Sequence, residues 1–451
     1  MAKKIVLIGA GSAVFTQGLV MDLISQKWNE PWELCLVDID KTALDAMGVI
    51  CKKMIKEKKM EDTIKLSCST ERGELLAGAD FVVTTIGVGG RRAWERDVFI
   101  PREFGIYQPV GDSVAPGGIS RAMRMIPAVV AIAEDIKKYC PNAFFFNYSN
   151  PMTSICRAVR KETGVPVIGL CHGVKNGVRK LARFAGLDHK KLTEHVVGLN
   201  HFVIIYRLYS DGRDAWPQVI EALDKRETPA GAKGIASKRS AFPGVDIGPL
   251  SSEFIRLYRA YPASDDRHYS EFTQQYFGRN GYFGKTLGVD VYSFEKTIEG
   301  GDTSYARTQE YARMKDPLPK EFWRKIEGEH EQLMSIIQSI LHDRREVFNI
   351  NIPNNGSVAS LPYDAVLEMP AIAAAHGFVP LRIEDFPSVF SGMLSKHIGI
   401  AELTAKAALE GSRCLFEEAI WQGGYMESRI QTTEMAARLL DAQKKYNLRF
   451  K

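Results

Sequence analysis

Three polar clusters carry side chains that could do chemistry. Gly111-Asp112-Ser113-Val114-Ala115-Pro116-Gly117-Gly118 sets one carboxylate among small and apolar residues. It could act as an acid there, and it could equally cap a turn or a helix. Cys171-His172 and Asn200-His201 offer a thiol and two imidazoles. Such groups bind zinc, iron or manganese, but two neighbours and one distant histidine make no ligand-spacing signature. A buried strand-end cysteine and a packed histidine would give the same letters. Ser264-Asp265-Asp266-Arg267-His268-Tyr269-Ser270-Glu271 is dense in ionisable groups, which suits acid/base chemistry and also the solvated start of a helix.

The elements that must position these groups begin at the N-terminus. Lys4-Ile5-Val6-Leu7-Ile8 is an apolar strand that ends in Gly9-Ala10-Gly11-Ser12, and a helical pattern follows through Leu19, Leu23 and Ile24. This is the start of a dinucleotide-binding βαβ unit. Gly9 and Gly11 let the backbone turn tightly against a pyrophosphate, and the helix amides beyond Ser12 meet the phosphate charge. A second strand, Leu34-Cys35-Leu36-Val37, ends at Asp38. An acid there suits the ribose hydroxyls of NAD and repels the extra phosphate of NADP, and Asp38 is preferred to Asp40 because it sits at the strand end. The third glycine of the Gly-x-Gly-x-x-Gly pattern is replaced by Val14. Strand Phe81-Val82-Val83-Thr84-Thr85 runs into Gly87-Val88-Gly89-Gly90, a second glycine loop expected to flank the dinucleotide, or else a plain flexible loop.

Further along, a long helix is expected over Ser120 to Tyr139, then strand Ala143–Phe146, helix Met152–Lys161 and strand Val165–Leu170, which delivers Cys171. Past residue 190 the texture changes. Val196 to Tyr206 reads as one strand of a mixed or antiparallel sheet. Asp211 to Gly248 reads as loop-rich, Ser252–Tyr258 and Leu318–His342 as helices, Ile350–Ile352 as a strand and the tail from Ala401 to Asn447 as mostly helical. The fold expected is α/β, a Rossmann-type doubly wound parallel sheet over residues 1–195, with a second α+β domain over 196–451 wrapped onto it. A net charge of +5 over 451 residues gives no reason to invoke nucleic acid or a membrane surface. No apolar run is long enough to span a bilayer, and Met1-Ala2-Lys3-Lys4 leads straight into a strand rather than a signal sequence. The seven cysteines are odd in number and form no Cys-x-x-Cys, so a reducing cytoplasm is expected.

Taken together, these stretches resemble the NAD-dependent glycosidases of glycoside hydrolase family 4. Six motifs occur in the family's order over nearly the whole chain: Gly9-Ala10-Gly11-Ser12, the Gly111–Ile119 run, Asn147-Tyr148-Ser149-Asn150-Pro151, Leu170-Cys171-His172-Gly173-Val174, Gly198-Leu199-Asn200-His201 and Asp266-Arg267-His268. Within the family the chain is similar to members acting on unphosphorylated α-galactosides and α-uronides. Its Cys-His-Gly-Val differs from the Cys-His-Ser-Val of α-galactosidases and the Cys-His-Glu-Val of α-galacturonidases, and Cys-His-Gly is similar to α-glucuronidases and α-glucosidases. The family is an exception to the two-carboxylate scheme of glycoside hydrolysis.

The resemblance implies a lactate/malate dehydrogenase-like fold, NAD, and manganese or another divalent metal held by Cys171 and His201. It implies oxidation of the sugar at carbon 3, loss of the carbon 2 proton, elimination of the aglycone, addition of water and return of the hydride. Asp112 matches the general acid, with an environment that should raise its pKa. Asp266 matches the base, with Tyr261 and Tyr269 as fallbacks. Asn150 would bind sugar hydroxyls, His172 and Asn200 would orient the metal shell, and Arg267 could face a carboxylate at carbon 6. The partner implied is a small glycoside or oligosaccharide, and the assembly a homodimer or homotetramer. Two rival readings share the opening fold. A plain NAD-dependent 2-hydroxy acid dehydrogenase would release NADH stoichiometrically without a metal. A non-catalytic NAD- or sugar-binding regulator would tolerate loss of Asp112, Cys171 and His201.

Overall fold

The computed structural model describes residues 2–13, 15–227, 247–274, 281–315, 317–326 and 331–450. Val14, half of the stretch expected to be loop-rich and part of the helix expected over 318–342 lie outside the described residues. Thirteen strands form one sheet: β1 (Lys3–Ile8), β2 (Trp32–Val37), β3 (Ile64–Ser69), β4 (Phe81–Thr84), β5 (Phe144–Asn147), β6 (Val167–Gly169), β7 (Leu192–Leu199), β8 (Phe202–Ser210), β9 (Arg213–Asp214), β10 (Tyr261–Pro262), β11 (Glu346–Pro353), β12 (Val366–Ala374) and β13 (Gly377–Pro380). The first six run parallel in the order β3-β2-β1-β4-β5-β6. This is the doubly wound order that reverses beside β1 and gathers ligands at the carboxyl ends of β1 and β4. Gly9 and Gly87 stand at those two ends.

Alternation along the strands explains why both faces are covered. Ile5, Leu7, Leu34, Leu36, Phe81 and Val83 face one apolar cluster. Val6, Ile8, Cys35, Val37, Val82 and Phe145 face another. A parallel sheet buried on both sides needs continuous apolar strands of this kind. The sheet does not stop at β6. Asn351 of β11 pairs antiparallel with Gly169, and β12, β7, β8 and β10 continue outward, with β13 on β12 and β9 on β8. The boundary expected between residues 195 and 196 therefore falls inside β7. The terminal helices Arg413–Gln422 and Arg429–Ala442 return to the first half, where Phe416, Ile420, Met435 and Leu439 join the cluster containing Ile126 and Val129 of the helix Ala115–Tyr139.

Several local expectations are corrected. Residues 196–206 form two strands rather than one, because the chain reverses at Asn200-His201 and Leu199 pairs with Phe202. The long helix begins at Ala115, five residues early. Of its two prolines, Pro116 lies in the first turn, where no amide donor is needed, and Pro127 lies inside the helix. The helix Lys41–Glu57 is capped by Asp40, which accepts from the Ala43 amide at 3.1 Å. The stretch from Asp211 holds β9 and the helix Trp216–Glu227. β3, β12 and β13 were not anticipated. Among the described residues no helix is long and apolar enough to cross a membrane.

Candidate active site

The dinucleotide end is built by close approach of backbone to backbone. Gly9 has φ +91°, and a Cβ there would lie 2.8 Å from the Ile86 nitrogen of the neighbouring strand end. A Cβ on Gly11 would lie 2.6 Å from Ala43 Cβ and 2.9 Å from Asp38 Oδ2. The Gly11 amide donates to Asp38 Oδ2 at 2.8 Å, which brings the carboxylate at the end of β2 against the turn. Asp40 is committed to its helix cap, so Asp38 is the acid that faces the turn. Ser12 Oγ accepts from the Phe15 amide at 3.2 Å, at the entry to the helix Thr16–Ser25. Gly87 looks toward the Arg121 guanidinium, whereas Gly89 opens the helix Gly90–Glu103 against Ala93 and Tyr446. An acid beside a tight turn and a helix N-terminus is a donor and acceptor set that fits NAD.

At the other end of the cleft, the β7–β8 turn holds His201 in a left-handed conformation, φ +69°. A residue with a Cβ adopts that conformation at a cost of about 1 kcal/mol. The turn projects Asn200 and His201 toward the loop that precedes the long helix. Ser113 Oγ donates to Asp112 Oδ1 at 2.7 Å and also lies 2.7 Å from His201 Nδ1. A hydroxyl has one proton to give. Donation to Asp112 therefore makes Nδ1 of His201 the donor to Ser113 and leaves Nε2 outside that bond. Asn150 Nδ2 donates to Asp112 Oδ2 at 2.9 Å, and Asn200 Nδ2 donates to Asn150 Oδ1 at 3.0 Å. Asn200 Oδ1 is buried with no partner among the described residues.

His268 completes the group. It rises from the helix Asp265–Phe272, and its ring lies 4.0 Å from that of His201, centroid to centroid. Ligand atoms of Asp112, His201 and His268 all lie within 4.8 Å of one another. Burial raises the Asp112 carboxyl, but His201, His268 and Arg121 beside it outweigh that and hold the group well below the usual carboxylate range. This corrects the expectation of a raised pKa: Asp112 stands in this site as an anion. Burial, reinforced by His201, holds His268 well below an ordinary histidine. One carboxylate and two imidazoles are a donor set that fits a divalent cation such as manganese.

The remaining sequence candidates are placed less simply. Cys171 lies at the carboxyl end of β6, where its Sγ accepts from the Gly173 amide at 3.3 Å. Burial and the Glu368 charge push its thiol well up, and it is not part of the Asp112–His201–His268 group. His172 Nδ1 lies 3.3 Å from Glu331 Oε1, and that bond raises its pKa. Asp266 is buried in hydrogen bonds. Its carboxylate accepts from the Leu250 amide at 2.9 Å, the Ser251 amide at 2.8 Å, the Ser251 hydroxyl and the Tyr282 hydroxyl, at 1% exposure. It caps the buried N-terminus of the helix Pro249–Tyr258, and burial raises its carboxyl above the ordinary value. Arg267 donates to Thr297 Oγ1 at 2.9 Å, and its Nε is buried without a partner among the described residues. Tyr261 is fully buried with its hydroxyl unpaired among the described residues, and Tyr269 stacks on Phe202 at 5.1 Å.

Sequence reasoning assigned no role to His268, Ser113, Arg121 or Glu271. His268 stood in the Asp-Arg-His motif, and Ser113 stood beside Asp112, so the letters were visible without their geometry. Arg121 donates from Nε to the Asn150 carbonyl at 3.1 Å. Glu271 is buried, and desolvation together with the Asp112 charge pushes it up to about 8.

Comparison with known proteins bears on this arrangement. Residues 4–187 match the model of the family 4 glycosyl hydrolases, and residues 196–422 match that of the C-terminal domain of the same family. The chain is 31% identical to the α-glucosidase of Erwinia rhapontici over 450 residues, which cover 93% of each chain. It is similar to the crystal structure of the putative glucosidase lplD from Bacillus subtilis, with 26% identity and a TM-score of 0.83, over 97% of this chain and 100% of that one. A 6-phospho-α-glucosidase from gut microorganisms, solved with NAD and Mn2+, shares the fold at 18% identity with a TM-score of 0.81, over 99% of each chain.

Proposed function

The chain belongs to the family 4 glycosyl hydrolases, and we propose that it hydrolyses α-glycosides of unphosphorylated sugars, in the class of α-galacturonides, α-glucuronides and α-galactosides, with NAD and a divalent metal. The observation that carries this reading is the convergence of Asp112, His201 and His268, joined through Asn150 and Arg121 to Gly87 beside the Gly9 turn. A hydride-transfer cofactor and a cation-binding group beside one sugar suit neither a simple dehydrogenase nor a two-carboxylate glycosidase. When bound, NAD would accept and return a hydride at carbon 3, and the metal would polarise the resulting ketone so that the carbon 2 proton becomes acidic.

The chain's own groups supply the rest. Asp112, His201 and His268 would hold the cation, with Cys171 as a further candidate. Asn200 and Asn150 form a hydrogen-bonded line from the β7–β8 turn to Asp112, and Asn150 keeps its assignment to sugar hydroxyls. Asp112 faces the leaving oxygen as an anion. Removal of the carbon 2 proton needs a reachable carboxylate. Asp265 fits better than Asp266: its side chain is 39% exposed, it pairs with Lys180 at 3.3 Å, and it follows Ser264, which packs on Gly173 beside Cys171. The unpaired Nε of Arg267 supports a substrate carboxylate or hydroxyl at carbon 6. The active form is read as a cytoplasmic homodimer or homotetramer.

The test is turnover of a panel of aryl α-glycosides and α-uronides, together with their 6-phosphates, with and without NAD, Mn2+ and a thiol reductant. Cleavage that requires all three additions, without net NADH, together with exchange of a carbon 2 deuterium into water, is the expected result. Stoichiometric NADH with no cleavage would establish the dehydrogenase reading instead, and turnover of 6-phosphates alone would overturn the substrate class. Asp265→Asn and Asp266→Asn, assayed for that exchange, separate the two base candidates.

A further inference from the structure

Outside the group proposed to hold the cation, one buried carboxyl group holds the loop that delivers Asp112. Glu271 is 2% exposed, and its Oε1 alone accepts from two successive amides, Val110 at 2.7 Å and Gly111 at 2.7 Å. Asp112 is the next residue. The Val110 carbonyl is held as well, by Trp94 Nε1 at 2.7 Å. Further along, Gln108 closes the loop on itself: its Oε1 accepts from the Gly117 amide at 2.9 Å and its Nε2 donates to the Val114 carbonyl at 3.3 Å. Gln108 and Trp94 belong to the same half of the chain as the loop. Glu271 comes from the helix Asp265–Phe272, one turn from His268 on the same face.

We propose that Glu271 is a positioning residue for the glycosidase reaction: it fixes Asp112 against His201 and His268 by locking the Val110–Gly111 backbone to the helix that carries His268. Two of the three cation-binding side chains thereby share one rigid frame, and the distance between them is set by this carboxylate rather than by the loop. Groups that act on a cation or a reacting atom must be held to a fraction of an ångström, and a displacement of about 1 Å costs on the order of 100-fold in rate. The bland alternative is that Glu271 only satisfies two buried amides that need an acceptor. The two readings part company in what a variant does to Asp112.

The experiment uses the full chain and three variants. Glu271→Gln keeps an oxygen that accepts both amides, Glu271→Asp keeps a carboxyl group but withdraws the oxygen by one methylene, and Glu271→Ala removes the acceptor. Mn2+ binding is followed by electron paramagnetic resonance in the absence of sugar, so the readout stands apart from the choice of substrate proposed above. The expected result is near-native Mn2+ affinity for Glu271→Gln, and affinity weakened by about 10- to 100-fold for Glu271→Asp and Glu271→Ala, the range for loss of a group that orients a metal ligand. Combined with Asp112→Asn, Glu271→Asp should weaken binding no further, because the residue it positions is already disabled. Equal losses from Glu271→Asp with and without Asp112→Asn, or native affinity in Glu271→Asp, would overturn the proposal. If Glu271→Ala does not fold, the Gln and Asp variants decide between the same outcomes.

Discussion

At the scale of single residues, the site turns on which nitrogen of His201 carries the proton. Ser113 donates to Asp112 and so needs the Nδ1 proton of His201 in return. Ser113→Ala frees that ring to take the other tautomer or to rotate, and it leaves Asp112 with one donor fewer. Mn2+ affinity, measured by titration calorimetry, is expected to fall by about 10- to 100-fold, while unfolding midpoints stay near native. Native affinity in Ser113→Ala would show that the relay does not set the tautomer. The sequence made Asp112, Asn150, Asn200 and His201 visible because each stands in a motif at a strand or helix end. The capping role of Asp266 was not legible, because a run of charged letters does not say where each carboxylate points. That carboxylate is drawn inward by the Leu250 and Ser251 amides, sixteen and fifteen residues earlier in the chain, a pairing that no local pattern encodes.

At the scale of elements, the glycine turn after β1 was legible for a reason that the hairpin at His201 was not. Strand, glycines, helix, strand and acid follow one another locally, and each has its own period or turn residue. The β7–β8 turn contains neither glycine nor proline, so the apolar letters on either side run together as one strand. The left-handed φ of His201 is the feature that breaks it. The edge strand β3 escaped for a related reason: with Ile64 buried and the rest half-buried or exposed, its pattern is too weak to stand out. The tightness of the glycine turn can be tested directly. In Gly11→Ala the new methyl would sit 2.6 Å from Ala43 Cβ and 2.9 Å from Asp38 Oδ2. Overpacking of this kind costs about 1 to 3 kcal/mol, and here it also pushes the Asp38 carboxylate off the turn. NAD affinity by fluorescence titration should drop at least 10-fold with a lowered melting temperature, and unchanged NAD affinity would mean that the cofactor does not lie against this turn.

At the scale of the whole molecule, one sheet joins both halves, and the acidity of the interior sets how its stability responds to pH. Two kinds of buried group pull in opposite directions. Burial pushes Glu271 and Glu368 up to about 8. The folded state therefore holds protons that the unfolded state has released, and these acids weaken the fold as pH rises from about 4.5 toward 8. His397 does the reverse. It is 5% exposed, packed between Phe202 and Phe272, and burial together with the neighbouring Lys396 lowers it to about 4. Below 6.5 the unfolded chain takes up a proton that the folded chain refuses, so stability is lost as pH falls from 6.5 to about 4, by about 3 kcal/mol from this group. Because the acids act over part of the same window, the total pH curve hides the histidine, and only a difference reveals it. His397→Gln cannot titrate but can still donate to the Phe272 carbonyl. Chemical denaturation across pH 4 to 7 should show the gap in stability between wild type and His397→Gln shifting in the variant's favour as the pH drops, by roughly that amount. A gap that stays constant across the range would show that His397 titrates alike in the folded and unfolded chains, and that the packing of the helix Ser388–Glu410 against Phe202 and Phe272 is open to water.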